Sequence, residues 1–323
     1  MRLQYIQLIS KESKFIGEYF IEMKRVLITG ASSFVGTNVE KWLEKSFDGE
    51  EKLFQVDTVD TMNEAWKQAD FTRYDVVFHV AGIAHVDPKP EMAPLYYKVN
   101  RDLTVEIAKW AQEHGVKQFI YMSSRIVYRV SKSMEGNVTT KETEPDPNDF
   151  YGDSKLQAEM GLVNLNDNLN DNGNRMKVVI LRPPMIYGPG NKGNLPRLAW
   201  LAIKTPVFPA WHNKRSMLHV YNLAEFVKQI ILREMEGTFF PQNAEYADTV
   251  EIVRQFAKEH GHKIWISRIF NPFVWLGSFF LPAIPKMFAD SYYVQEMSHY
   301  DFNYQVISFE ESLKGLDVRK TMK

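Results

Sequence analysis

The segment KRVLITGASSFVG, residues 24–36, decides the fold. Its first half is an apolar run typical of a buried strand, and its middle is a Gly/Ser turn. Its end opens a helical pattern, FVGTNVEKWLEKSF. A strand that turns through glycine into a helix presents the free backbone N–H groups of the helix N-terminus, and these groups suit a bound anion.

The same alternation continues to Leu181. Further apolar runs lie at 53–56, 75–82, 118–124 and 176–181, and the patterns between them predict helices at 61–71, 97–114 and 151–165. Strands separated by helices require right-handed parallel crossovers. We therefore predict an α/β fold, with a Rossmann-type doubly wound parallel sheet.

Beyond Arg182 the pattern is broken by prolines, and helical patterns return at 222–233 and 248–260. A length of 323 residues fits about two domains. We predict an N-terminal extension at 1–22, a nucleotide-binding sheet domain at 23–182, and a smaller C-terminal substrate lobe at 183–323 that is partly interleaved with the sheet domain.

Composition excludes several function classes. The chain has 39 basic and 40 acidic residues, a formal net charge of −1, so its totals give no support to nucleic-acid binding. It has no cysteine, which excludes disulfides, thiolate catalysis and sulfur-ligated zinc. His79, His85, His212 and His219 lack metal-ligand spacing, so we predict no metal site.

Two apolar segments bear on location. Polar residues interrupt residues 1–22, and no small-residue cleavage site follows, so we predict no export signal and expect a cytoplasmic protein. The longest apolar stretch, Phe270 to Pro285, is broken by Asn, Pro and Gly and is shorter than the ~20 apolar residues of a membrane span. We predict that it is a packed lobe, a lid or an interface.

The glycine turn can admit a dinucleotide pyrophosphate at Gly30 and Gly36. Ser33 stands where a third glycine is usual, and serine fits there if its hydroxyl faces the phosphate and its φ stays negative. An acid about 20 residues further on usually binds the adenosine ribose. Asp57 and Asp60 are the candidates for that role, although both are also compatible with solvated loop positions; they favour NAD, with NADP as the alternative.

Candidate catalytic residues come from a tyrosine and a lysine four residues apart. This spacing occurs at Tyr128/Lys132 and at Tyr151/Lys155, but only the second pair begins a convincing helix, where the two side chains share a face. A phenol with a pKa near ~10 is a poor base, and a nearby ammonium and an oxidised nicotinamide both favour its anion. Ser124 ends a strand, where open α/β sheets place ligands.

Six motifs occur in an order and spacing that resemble a known family. They are TGASSFVG, DVVFHVAG, YYKVNRDL, SSRIVY, YGDSK and LRPPMIYGPGNKGNL. Together they resemble the extended short-chain dehydrogenase/reductases, in particular the NAD-dependent epimerase/dehydratase family of nucleotide-sugar enzymes. The resemblance covers roughly residues 24–233.

The resemblance assigns roles position by position. It implies a pyrophosphate turn at Gly30, Ser33, Phe34, Val35 and Gly36, a cofactor wall at Val80, Ala81 and Gly82, and a contact near the carboxamide at Pro183. Asn100 would support the third strand, and Lys155 would bind the nicotinamide ribose besides tuning Tyr151. Asn194 and Arg215 would bind the diphosphate of a nucleotide sugar, and guanidinium suits phosphate because it can donate two parallel hydrogen bonds.

The implied activity is that of an NAD(P)-dependent enzyme, with a UDP-hexose 4-epimerase as the leading hypothesis. Tyr151 would take the hydroxyl proton, and Ser124 would orient the sugar oxygen. A 4-keto-sugar nucleotide reductase of polysaccharide biosynthesis and a non-catalytic dinucleotide sensor are the alternatives. The family also implies a homodimer. Ser33, the short stretch after Gly36, and Pro184 in place of an asparagine depart from the family pattern.

Overall fold

The computed structural model of the chain describes residues 22–30, 32–45, 52–84, 89–131, 133–167, 173, 175–191, 194–314 and 316. The predicted N-terminal extension therefore lies outside the described residues except for its last member, Glu22. His85 and Lys132 also lie outside them.

The described residues form twelve strands: β1 (Lys24–Thr29), β2 (Phe54–Val59), β3 (Val76–His79), β4 (Gln118–Met122), β5 (Asn137–Thr139), β6 (Lys177–Leu181), β7 (Met185–Tyr187), β8 (Val207–Pro209), β9 (Met217–His219), β10 (Gly237–Phe239), β11 (Trp265–Ser267) and β12 (Ser291–Tyr293). Their α-helices are α1 (Phe34–Leu43), α2 (Ala93–Tyr96), α3 (Leu103–Glu113), α4 (Phe150–Asp167), α5 (Asn194–Lys204), α6 (Val220–Leu232), α7 (Thr249–Glu259), α8 (Asn271–Gly277), α9 (Ala283–Phe288) and α10 (Phe309–Lys314).

Six strands form one parallel sheet in the order β2-β1-β3-β4-β6-β10. β1 has β2 on one side and β3 on the other, so Val26 is aligned with both Val56 and Val76. The chain therefore reverses its direction of winding at β1, and open α/β sheets bind ligands at such a switch point, beside the carboxyl ends of the strands. The predicted doubly wound sheet is confirmed.

Helices cover both faces of the sheet, which explains why β3 and β4 are apolar almost throughout. On one face, Val39 of α1 and Phe226 of α6 share a buried cluster with sheet residues. On the other, Ile107 of α3 and Ala158 of α4 lie in a second cluster. The sheet thus holds the carboxyl ends of its strands in fixed relative positions.

A smaller lobe is built around its own apolar cluster, to which α5, α7 and β8 contribute. Three parallel two-stranded pairs, β5–β12, β7–β9 and β8–β11, complete it. Between the first and second parts of this lobe the chain returns to the sheet domain, because α6 packs beside α1 and β10 pairs with β6. The domain boundary at 182/183 remains a prediction.

Two predicted elements differ in detail. The helix predicted at 97–114 is a π-helical segment, Tyr97–Asp102, followed by α3, and α2 directly precedes it. The helix predicted at 61–71 is two short 3₁₀ turns, Glu64–Gln68 and Phe71–Arg73, whose Trp66 and Phe71 are buried in the core. Two large buried rings fill this short connection between β2 and β3.

Within the described ranges, no helix has the length and apolar character needed to cross a membrane.

Candidate active site

The glycine turn brings the ends of β1 and β3 into contact. Gly30 has φ +88°, and a Cβ there would lie 3.0 Å from the Ala81 nitrogen. At Gly36, in the first turn of α1, a Cβ would lie 3.0 Å from the Gly30 oxygen. Glycine is thus required at the first position for conformation and contact, and at the second for close packing of the helix on the turn.

Ser33 replaces a glycine without backbone strain, because its φ is −73°. Its hydroxyl accepts a hydrogen bond from the Gly36 N–H at 2.9 Å and so caps α1. The predicted negative φ is present, but the hydroxyl is engaged by its own helix. Phe34 and Val35 follow in the half-buried first turn.

Asn100 fixes the backbone that follows β3. Asn100, buried in the π-helical segment, accepts from the Ile83 N–H at 2.8 Å and donates to the Ile83 oxygen at 3.2 Å. Val80 and Ala81 lead into exposed Gly82, where a Cβ would lie 3.0 Å from Asn100 Oδ1. Any side chain at Gly82 would therefore fill the space between β3 and the helices beside it.

The three predicted catalytic side chains lie at the adjacent edge of the sheet. Ser124 follows β4, and its hydroxyl lies near enough to the phenol of Tyr151, in the first turn of α4, to lower the pKa of that phenol. Lys155 lies one turn further along that helix, buried, and donates to the Met122 oxygen at 3.0 Å. Its Nζ would be 3.3 Å from a Cβ at Gly82, so the lysine joins the candidate catalytic group to the end of β3.

Burial keeps both titratable groups of this cluster closer to neutral than in water. Burial, with Tyr96 and Asp149 nearby, raises the pKa of Tyr151 to about 12, against a lowering by the nearby Ser124 hydroxyl. Burial lowers the pKa of Lys155 to about 8, against the raising effect of Glu159. The phenol by itself is therefore a proton donor, and the predicted anion requires added positive charge beside it to lower its pKa.

The two candidate ribose carboxylates occupy different environments. Asp60 directly follows β2, at the carboxyl edge next to the turn, since the Gly30 N–H donates to the Val59 oxygen at 3.0 Å. Asp57 lies inside β2 and accepts from the Tyr74 hydroxyl at 3.1 Å. The position of Asp60 is the better one for a ribose at the switch point.

The remaining predicted residues lie on the lobe side. Pro183 is buried after β6, and its oxygen accepts from the Arg125 N–H at 2.9 Å, directly beside Ser124. Asn194 begins α5, but its side chain is outside what the structure describes. Arg215 donates to the Lys286 oxygen at 2.8 Å.

Arg215 and Arg125 form an electropositive region. Burial, together with the charge of Arg125, lowers the pKa of Arg215 to about 10. Burial also lowers the pKa of Arg125, whose Nε is buried without a hydrogen-bond partner. Among the described residues, neither guanidinium has a carboxylate within salt-bridge distance. Asp290 is near enough to raise the pKa of Arg215 but forms no ion pair with it, and two adjacent cations favour binding of an anion such as a diphosphate.

A buried ion pair, which was not predicted from the sequence, lies behind the cluster. Arg182 donates to Oε1 of Glu159 at 3.2 Å, to Oε2 at 3.1 and 2.6 Å, and to the Tyr128 hydroxyl at 2.7 Å. The Ser123 hydroxyl also donates to Glu159. The available signal was spacing: Tyr151, Lys155 and Glu159 are each four residues apart and so share one face of α4.

His79 lies in the core of the sheet domain, away from solvent. Its ring lies buried between the hydroxyls of Thr29, at 2.7 Å, and Thr104, at 3.0 Å, and burial lowers its pKa to about 3. It is a neutral core histidine. No group of three or more metal-ligating side chains occurs within the described part of the chain.

These features fit a nicotinamide dinucleotide. Gly30 keeps the turn in close contact with the backbone at Ala81, Gly82 leaves open the space beside Asn100 and Lys155, and the N-terminus of α1 directly follows the turn. The turn and α1 would hold the pyrophosphate, and Lys155 would hold the nicotinamide ribose. A parallel sheet with this turn and an adjacent Ser, Tyr and Lys defines the class of nicotinamide-dependent short-chain dehydrogenases and reductases.

The chain belongs to the NAD-dependent epimerase/dehydratase family, whose sequence model matches residues 26–240. It is 34% identical over 254 residues to a UDP-glucose 4-epimerase of Vibrio cholerae, covering 72% of this chain and 75% of that protein. It is 30% identical over 214 residues to an N-acetyl-α-D-glucosaminyl-diphospho-ditrans,octacis-undecaprenol 4-epimerase of Escherichia coli O157:H7, covering 63% and 62% of the two chains.

A solved structure shares the fold across nearly the whole chain. The UDP-glucuronic acid 4-epimerase of Bacillus cereus, in complex with NAD, superposes with a TM-score of 0.66 at 16% identity, covering 93% of this chain and 100% of that one. The predicted family, its enzymatic character and its NAD(P) dependence are confirmed.

Proposed function

We propose that this chain is an NAD-dependent 4-epimerase of a UDP-hexose. The observation that carries the proposal is the grouping of the Ser124 hydroxyl and the Tyr151 phenol at the carboxyl edge of the sheet, one helical turn from buried Lys155. The 34% identity to a UDP-glucose 4-epimerase supports the choice of reaction over a reductase.

Each side chain has a defined task in this reaction. The nicotinamide, when bound, supplies a reversible hydride acceptor beside C4 of the sugar. Tyr151 takes the proton of the C4 hydroxyl and returns it, and Ser124 holds the sugar oxygen in line with the phenol. Lys155 supplies the positive charge that favours the phenolate once a further cation lies nearby.

The lobe supplies the substrate's diphosphate site in this proposal. Within the described ranges Arg215 and Arg125 have no carboxylate at salt-bridge distance, and Arg125 directly follows Ser124 in the chain. Asn194 begins α5 after the Gly-rich segment and is the proposed third contact. The sugar would then lie between these arginines and Tyr151.

The test incubates the purified chain with UDP-glucose and NAD and follows the sugar by NMR and the cofactor by absorbance at the reduced-nicotinamide band. We expect UDP-galactose without net cofactor reduction. Tyr151→Phe should lose at least about 100-fold in turnover, the usual contribution of a general acid or base, while still binding NAD. The matched control is Tyr246→Phe, since that lobe phenol donates only to the Tyr293 oxygen at 2.9 Å and should turn over normally.

Two results would replace this proposal. Stoichiometric oxidation of NADPH with a 4-keto-sugar nucleotide, and no interconversion of UDP-hexoses, would make the chain a reductase. Binding of NAD without turnover of either substrate would make it a dinucleotide sensor.

A second substrate has specific support. The 30% identical relative is named for a diphospho-undecaprenol sugar, and this chain exposes a cluster of large apolar side chains between Trp265 and Leu281 of the substrate lobe. The assay therefore includes N-acetylglucosamine linked to polyprenyl diphosphate in detergent. Faster epimerisation of this compound than of UDP-glucose would assign the lipid-linked sugar as substrate.

A further inference from the structure

The substrate lobe carries an exposed apolar patch. Eight of its residues are more than half exposed: Trp265, Ile269, Phe273, Trp275, Leu276, Phe279, Phe280 and Leu281. Phe273 and Phe280 are 70% and 75% exposed, and two tryptophans, Trp265 and Trp275, lie among them. Aromatic side chains present 150–250 Å² each, so the patch exposes on the order of 1,000 Å² of apolar surface, more than the ~300–600 Å² of the largest patch on a typical monomer.

The helices that carry the patch are fixed in place, because each buries a side chain in the core of the lobe. Val274 of α8 and Phe288 of α9 are buried in the lobe core, while their neighbours point outward. Gly277 ends α8 against Ile284, whose Cδ1 would lie 2.6 Å from a Cβ on that glycine. Asn271 donates to the Ala210 oxygen at 3.1 Å.

The charges within the segment that carries the patch have one sign. Between residues 261 and 289 the chain has three cations, Lys263, Arg268 and Lys286, and no acidic residue. All three are exposed. In a two-fold dimer formed through this patch, these cations would be brought close to their own copies, which is unfavourable. An anionic lipid surface complements them, and tryptophan and phenylalanine favour the interface between headgroups and acyl chains.

From this geometry we infer that the patch docks the substrate lobe onto an anionic membrane surface. Helices of seven and six residues, such as α8 and α9, are too short to span a bilayer, so they lie in the interface with their apolar side chains inserted. This docking is the same whichever sugar is the substrate.

The docked lobe would hold the diphosphate site close to the lipid. Arg215 donates through Nη1 to the oxygen of Lys286 at 2.8 Å and to that of Ala289 at 3.4 Å. Asn213 donates to the Met287 oxygen at 3.1 Å. The segment that carries the proposed diphosphate cation is therefore fixed directly to α9, the helix that follows the patch.

The test is co-sedimentation of the full chain with vesicles of phosphatidylcholine alone or of phosphatidylcholine mixed equally with phosphatidylglycerol. We expect binding to the mixed vesicles, weakened at least about tenfold by Phe273→Ser/Phe280→Ser. Lys263→Glu/Lys286→Glu should weaken binding to the mixed vesicles by a comparable factor, since each surface cation contributes about fivefold, and should leave the weak binding to phosphatidylcholine unchanged.

Leu95→Ser/Val138→Ser is the matched control, because both residues are exposed apolar positions outside the patch and should bind as the unmodified chain does. Far-UV circular dichroism and a thermal melt establish that each variant is folded. Failure of the unmodified chain to bind either vesicle would overturn the inference. Binding of the Phe273→Ser/Phe280→Ser variant as tight as that of the unmodified chain would overturn it as well. A dimer that these changes dissociate, without vesicle binding, would assign the patch to contact between copies of the chain.

Discussion

The buried carboxylate Glu159 should set the pH range in which Lys155 remains charged. Glu159 and Lys155 are one helical turn apart, and burial has already lowered the lysine pKa to about 8. Neutralising Glu159 by Glu159→Gln removes the one interaction that raises this pKa, and it leaves Arg182 as an uncompensated cation. Both effects lower the pKa of Lys155 further.

The magnitude follows from the spacing. Charges about 6 Å apart at an effective dielectric constant of about 20 interact by roughly 3 kcal/mol, which corresponds to about two pKa units. Because glutamine retains a dipole, we expect the alkaline limb of turnover to move down by about one to two pH units. Side chains of Glu159 and Arg182 are only 3% and 13% exposed, so breaking their pair should also cost about 3 kcal/mol of unfolding free energy.

The assay measures kcat against pH with UDP-glucose, together with urea unfolding. Arg182→Lys separates the two effects, since it keeps the positive charge but loses the two-point contact; it should lower stability and leave the alkaline limb in place. Glu113→Gln, at an exposed acid on α3, should change neither quantity. An unmoved limb in Glu159→Gln, despite a loss of stability, would refute the electrostatic role of Glu159.

Three further predictions follow from the structure. Gly30→Ala should weaken NAD binding at least about tenfold, because the added Cβ would press against Ala81 and the positive φ is unfavourable for alanine. Gly115→Ala is the control: its φ is +81° but its Cβ would lie in open space, so the Kd for NAD should not change and the unfolding free energy should fall by only about 1 kcal/mol. As the pH is lowered from 6.5 to 4, the unfolding free energy should fall, because His79 binds a proton in the unfolded chain while burial holds its pKa in the folded protein at about 3. His79→Gln should reduce the slope of unfolding free energy against pH by about 1.4 kcal/mol per pH unit, measured by urea unfolding. Asp60→Ala should raise the Kd for NAD about tenfold, as expected for a hydrogen bond to a charged group, and an equal effect of Asp57→Ala would contradict the assignment.

The sequence was most informative where the pattern is local. Strands covered on both faces must be apolar almost continuously, so β3, β4 and β6 could be located from composition alone. The turn at Gly30 could be located because few residues adopt a positive φ. The spacing of Tyr151 and Lys155 could be interpreted because helix geometry places i and i+4 side chains on one face.

Other features depend on contacts between distant parts of the chain. Nothing near Glu159 indicates that Arg182 would be its partner, because their approach requires the packing of α4 beside β6. The hydroxyl of Ser33 had two available partners, a phosphate and its own helix, and the pattern of the turn does not distinguish them. The protonation of Tyr151 depends on how completely neighbouring rings exclude water, which spacing cannot give.

The return of the chain to the sheet at β10 has a consequence for dividing this protein. A fragment ending at residue 182 would lack α6 and would leave the buried strand β6 with one row of unpaired backbone groups. Such an edge is a template for pairing with other chains, so the isolated fragment should aggregate, and the two parts of the molecule should unfold together rather than in succession.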